Sequence, residues 1–147
     1  MKNIILNILV CASLLISCKN RSKKNEEHAD GLQSVSCYIY LSHEDTVSMT
    51  LHFLGDEVTG NLNYTIFEKD INKGALSGHM KGDTLFATYR FMSEGENSER
   101  QVVFLKKENK WIEGSGEIDP KTGISTFENK KSIVFDGFVL TQMECPN

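Results

Sequence analysis

The chain has 147 residues and a mass of 16.6 kDa, with 39% hydrophobic and 24% charged residues. That is one domain's worth of chain with an ordinary charge content, which argues against wholesale disorder and leaves no room for a second catalytic domain. A formal charge of −4 argues against a nucleic-acid binder, whose surface is usually basic.

The N-terminus reads as an address. Lys2 and Asn3 precede an apolar run from Ile4 to Ile16, interrupted by Asn7 and Ser13. The run is about 13 residues long, whereas a membrane-spanning helix needs about 20. Its length and flanks fit the h-region of a signal peptide over residues 1–17. It ends in Leu15-Ile16-Ser17-Cys18. An aliphatic residue, a small residue and then cysteine resembles the lipobox of bacterial lipoproteins, and the Ser-Cys ending resembles small β-rich envelope lipoproteins of the Bacteroidota type. The resemblance implies cleavage after Ser17, lipidation of Cys18 with palmitate-like chains, and the membrane as a partner. One acyl chain anchors only marginally, whereas two or three anchor stably.

Residues 18–30 form the lipidated end and a basic tether. Lys19 to Asp30 shows no apolar period and reads as a flexible linker. Position 19 is Lys and not Asp, which by resemblance to lipoprotein sorting signals implies the outer membrane. Arg21, Lys23 and Lys24 follow where surface-exported relatives carry acidic residues, which implies a periplasm-facing protein.

Residues 31–147 read as a single all-β domain. The hydrophobic period is 2: Val47, Met49, Leu51 and Phe53 share a face opposite Thr46, Ser48, Thr50 and His52. Val58, Leu62, Tyr64 and Ile66 repeat the pattern, as do Leu85, Ala87, Tyr89 and Phe91. Turn residues punctuate these runs at Gly55-Asp56, Asn72-Lys73-Gly74, Gly82-Asp83, Glu94 to Asn97, Glu108-Asn109 and Asp119 to Gly123. The spacing predicts strands near 35–42, 46–54, 57–67, 74–81, 84–92, 99–107, 110–118 and 133–144, with 124–132 ambiguous. Eight antiparallel strands in a meander suggest a small calycin-like barrel, the alternative being a β-sandwich. Glycines inside the strands, such as Gly60 and Gly78, suit the bends of a barrel. The bulky inward set points to a filled interior.

Of the four cysteines, the lipoprotein resemblance implies that Cys11 is discarded with the signal and that Cys18 carries lipid. Cys37 and Cys145 remain, an even pair in an oxidising compartment. Cys37 shares parity with Val35, Ile39 and Leu41, and Cys145 with Val139, Thr141 and Met143. Barrel closure brings the first and last strands together, so a Cys37–Cys145 disulfide is expected.

Motifs for chemistry are few. The four histidines show no zinc spacing, and no metal site is expected. Asp70-x-Asn72-x-Gly74 places its glycine one position early for a calcium loop, and Lys81 stands where glutamate is required. Gly74-Ala75-Leu76-Ser77-Gly78 is not a nucleophile elbow, and no phosphate or dinucleotide fingerprint is present. No catalytic residues and no cofactor are therefore assigned. Glu94, Glu96, Glu99, Glu113 and Glu117 read as a solvated acidic rim.

The most distinctive polar stretch runs from Ser93 to Arg100. Read as a loop between two strong strands, it offers Ser93, Glu94, Glu96, Asn97, Ser98 and Arg100 as a candidate binding loop, with Trp111 just beyond. A Ser/Gly-containing loop followed by Trp111-Ile112-Glu113-Gly114 loosely resembles the membrane-bound inhibitors of c-type lysozyme. Glu94-Gly95 and Arg100 depart from that family's Ser-Gly and tyrosine. The leading reading is a lipid-anchored, non-enzymatic envelope module with a binding or structural role. The alternatives are a carrier of a small apolar ligand inside the barrel and a lysozyme-inhibitor-like protein.

Overall fold

The computed structural model describes residues 34–123 and 125–146. The signal segment, Cys18 and the tether lie outside the described residues.

Among the described residues ten strands follow one another: β1 (Ser34–Ser42), β2 (Asp45–Leu54), β3 (Glu57–Thr65), β4 (Asn72–Lys81), β5 (Thr84–Ser93), β6 (Glu96–Lys107), β7 (Lys110–Gly114), β8 (Glu117–Ile118), β9 (Ser125–Thr126) and β10 (Val139–Met143). Eight of them close a barrel in the order β1-β10-β7-β6-β5-β4-β3-β2, and β8 and β9 pair separately. The fold is all-β and barrel-like, and the sandwich alternative drops out.

Tight hairpins drive the meander. Two-residue turns link β1 to β2, β2 to β3, β4 to β5, β5 to β6 and β6 to β7. Each contains a residue at positive φ: His43, Gly55, Gly82, the pair Glu94 and Gly95, and Glu108. Left-handed turn residues match the natural twist of the flanking strands, which splay if the turn is right-handed.

Three predicted segments are redrawn. Asn72-Lys73-Gly74 is not a turn but the start of β4, because Gly74 pairs with Leu62 on one side and Phe91 on the other. The segment 110–118 breaks after Gly114, because Ser115 exchanges backbone hydrogen bonds with Val134 at 2.8 and 2.9 Å instead of continuing along β6. The final strand begins only at Val139, and Lys130–Ser132 is a 3₁₀ turn capped by the Asn129 side chain. The ambiguous region does pair locally, β9 with β8.

Side chains fill the barrel. Val47, Met49, Leu51, Leu62, Leu76, Leu85, Tyr89, Phe104, Trp111 and Leu140 form a continuous buried cluster. Each fully buried aliphatic or aromatic side chain contributes about 1.5–3 kcal/mol. Glycine supplies room where strands cross closely. A Cβ on Gly60 would overlap the Thr50 carbonyl oxygen, so strong curvature at this point requires the bare backbone.

The expected bridge is present. Cys37 and Cys145 are disulfide-bonded with Cα atoms 5.1 Å apart. Cys37 lies opposite Met143 in the β1–β10 register, and its sulfur approaches the Thr50 hydroxyl at 3.7 Å. Tyr38, the next residue, joins the interior cluster, so the bridge lies on the outside of the wall.

Candidate functional site

Strand parity carries polar groups into one end of the barrel. On β6, Arg100 has the parity of Val102 and Phe104, both buried. On β7, Glu113 has the parity of Trp111, which is fully buried. On β3 and β5, Tyr64 and Tyr89 lie in the inward-facing apolar rows, just before Ile66 and Phe91. These four side chains converge where β3 and β7 end and β6 begins.

Their contacts are specific. The Tyr64 hydroxyl donates to Glu113 Oε1 at 2.6 Å. The Arg100 guanidinium carbon lies 5.0, 5.5 and 5.4 Å from the ring centroids of Tyr64, Tyr89 and Phe91. Tyr89 and Phe91 stack at 4.7 Å, and Phe138 closes on Tyr64 at 6.1 Å. A cation over aromatic faces gains about 0.5–2 kcal/mol, more as water is excluded. The contacts are nevertheless incomplete. Arg100 Nε, the Tyr89 hydroxyl and Asn72 Oδ1 are buried and have no hydrogen-bond partner.

Burial tunes the ionisable groups toward neutrality. It raises the Glu113 carboxyl above the usual carboxylate range, against the opposing pull of the Tyr64 hydrogen bond and Arg100. It raises the Tyr64 phenol well above its ordinary value, with Glu113 adding to the effect. Tyr89 is pushed up to about 12, again chiefly by burial. Both phenols are therefore uncharged donors at neutral pH, and Arg100 is the fixed positive charge.

A cavity of about 370 Å³ opens onto this group, lined by Arg100, Glu113, Val102, Ser115, Ser125 and Phe127 together with glycines. Its origin is the early end of β7. The β6–β7 register stops at Val103 and Gly114, whereas β6 runs back to Glu96. The wall is therefore unpaired beside Arg100, and the segment after β7 passes over the gap. A cavity of this size lies at the small end of ligand sites.

The proposed binding loop is differently arranged. Ser93 ends β5, Glu94 and Gly95 form the two-residue tip, and Glu96, Asn97, Ser98 and Arg100 belong to β6. Ser93 faces Glu96, and Phe91 faces Ser98, across a regular ladder. Trp111 is core: it is fully buried and packs edge-on against Tyr38 at 6.1 Å. Of the proposed residues, only Arg100 lines this cavity. The sequence does not mark Tyr64, Tyr89 and Glu113 as partners, and Glu113 reads there as part of a solvated rim, whereas the structure buries it beside Arg100. Its parity with Trp111 was the available signal. Among the described residues no group of three or more His, Cys, Asp or Glu side chains converges as a metal site.

No family model, no curated protein and no solved structure matches this chain.

Proposed function

We propose that this protein is a lipid-anchored module of the cell envelope that binds a small ligand at the Arg100 end of its barrel. The observation carrying the reading is Arg100 itself: a guanidinium enclosed by three aromatic rings, with Nε unpartnered, beside a 370 Å³ cavity. A half-buried charge with a buried donor left unpaired is unfavourable unless another group completes it. The anchor part rests on the lipobox-like Leu15-Ile16-Ser17-Cys18 and the basic tether, with an outer-membrane, periplasm-facing location as the resulting proposal. A binding role fits a barrel whose axis is occupied by Trp111, Phe104 and leucines, because the ligand is then left to the mouth and not the centre. A carrier holding a long apolar ligand along the axis is disfavoured on the same ground.

Native mass spectrometry of the full chain extracted from membranes tests the binding role. A bound adduct is expected on the wild type and should be lost in Arg100→Gln. Repeated preparations carrying no adduct would overturn the reading.

A further inference from the structure

We propose that the Arg100 mouth is a receptor for a single carboxylate group, carried by a small molecule whose apolar remainder lies against Phe127 and Val102. This inference rests on the mouth being the binding position, and it adds the chemical class of ligand.

Three features of the site select that class. The first is unmet donor capacity. Among the described residues the ion pair present is Arg90 with Glu99, on the exposed outer wall, and it does not involve Arg100. Glu113 lies near Arg100, yet its Oε1 is engaged by Tyr64 and it forms no ion pair with the guanidinium. Arg100 Nε is therefore left without an acceptor, and a planar carboxylate is the acceptor whose shape matches a guanidinium edge. Tyr89, opposite Arg100 in the strand register, holds a buried hydroxyl without a partner behind the guanidinium, although it does not itself line the cavity.

The second feature is charge. The ionisable groups facing the guanidinium are Glu113 from β7, Tyr64 from β3 and Tyr89 from β5, and Asp136 approaches Ser115 at the rim at 3.5 Å. One fixed cation is thus set among acidic groups, without a lysine lining the cavity. A phosphate dianion would meet Glu113 with a single positive charge to offset it. A carboxylate adds one negative charge to the cluster where a phosphate dianion adds two. Planarity and single charge together favour carboxylate over phosphate.

The third feature is the wall. Phe127, just after β9, is buried, and Val102 belongs to the core; together they give the cavity an apolar patch, with Gln101, Ser115 and Ser125 on the rest of its lining. An apolar body of modest size is accommodated beyond the charged end.

The test uses full-length protein in detergent, with tyrosine rings labelled with carbon-13. The four tyrosines include Tyr38, which packs on Trp111 in the core and serves as an internal control. Benzoate and hexanoate are titrated alongside benzamide, phenyl phosphate and inorganic phosphate. Benzoate and hexanoate should shift the Tyr64 and Tyr89 signals and leave Tyr38 in place. Affinity should fall at least tenfold in Arg100→Gln, fall less in Arg100→Lys, and weaken in Tyr89→Phe. The two milder variants keep the test open if Arg100→Gln does not fold. Benzamide or phenyl phosphate binding as tightly as benzoate at the same tyrosines would overturn the carboxylate inference while leaving the mouth as a binding site. No probe moving Tyr64 or Tyr89, or carboxylate binding indifferent to every variant, would overturn both.

Discussion

The Tyr64 hydroxyl donates a 2.6 Å hydrogen bond to Glu113 Oε1 across the barrel, between residues 49 positions apart. That bond joins β3 to β7, strands that are not neighbours in the sheet. It fixes the carboxyl beside Arg100, inside a wall where a charge is poorly solvated.

A pH dependence follows from Glu113. Burial raises its carboxyl in the folded state, more than Tyr64 and Arg100 pull it back. The sign is that of an acid favoured in its protonated form by folding. Its contribution is complete below the unfolded carboxylate range and is lost as pH rises through the raised folded value. Glu113→Gln keeps an acceptor for Tyr64 and removes the titration. Relative to wild type, this variant should gain thermal stability as pH rises from acid toward neutrality, and the difference should then level off. A difference in melting temperature that stays flat with pH would contradict the raised carboxyl.

The Cys37–Cys145 bridge should be a major source of stability. It joins residues 108 positions apart and sits on the β1–β10 seam, whose register has three residue pairs against nine between β1 and β2. The chain-entropy model assigns a loop of that length about 4–5 kcal/mol, and native bridges in small domains are worth about 2–5 kcal/mol. Cys37→Ser with Cys145→Ser should lower the melting temperature by on the order of 10 °C or more. An unchanged melt after verified reduction would show that the seam holds without it.

Gly60→Ala should destabilise strongly despite the small change. The new methyl would overlap the Thr50 carbonyl oxygen, a backbone atom fixed in the β2–β3 ladder. Overpacking of this kind costs about 1–3 kcal/mol. Denaturant titration would show the effect, and a wild-type midpoint would mean that the strands separate without penalty.

Trp111 separates volume from polarity. Its ring is fully buried and its indole N–H has no partner. Trp111→Ala should cost about 3–5 kcal/mol. Trp111→Phe should cost much less, because it removes the unmatched N–H with the lost volume. Equal losses in equilibrium unfolding would show that the N–H is not a burden.

Cys18→Ala should block lipid labelling in cells and leave the precursor uncleaved. Normal incorporation of labelled palmitate by this variant would remove the anchor from the proposal.

Much of the architecture was readable in alternation. The row Val47, Met49, Leu51 and Phe53 recurs as the inner face of β2, because a strand buried on one side admits one parity of apolar residue. Gly55 and Gly82 marked tight turns through their access to positive φ, and both occupy it. The paired parity of Cys37 and Cys145 anticipated the bridge across the closing seam. His43, Glu94 and Glu108 also adopt positive φ; Gly95 and Asn109 marked two of these turns, but not which residue would take the left-handed conformation. Their turns are set by the register of the strands on either side.

The candidate site was legible only in fragments. A charged residue alternating with exposed neighbours reads as solvated, and Glu113 next to Gly114 looked like rim. Period 2 by itself determined that this chain makes short antiparallel strands, and the parity of Cys37 and Cys145 on the first and last strands pointed to the pair that closes the barrel. The early end of β7 was a tertiary decision: Ser115 bonds to Val134 and so leaves β6 unpaired beside Arg100. That choice opens the wall and gathers Arg100, Tyr64, Tyr89 and Glu113 from four different strands. Such an encounter depends on barrel closure and shear, which bring distant positions together in three dimensions and leave no trace in the local order of residues.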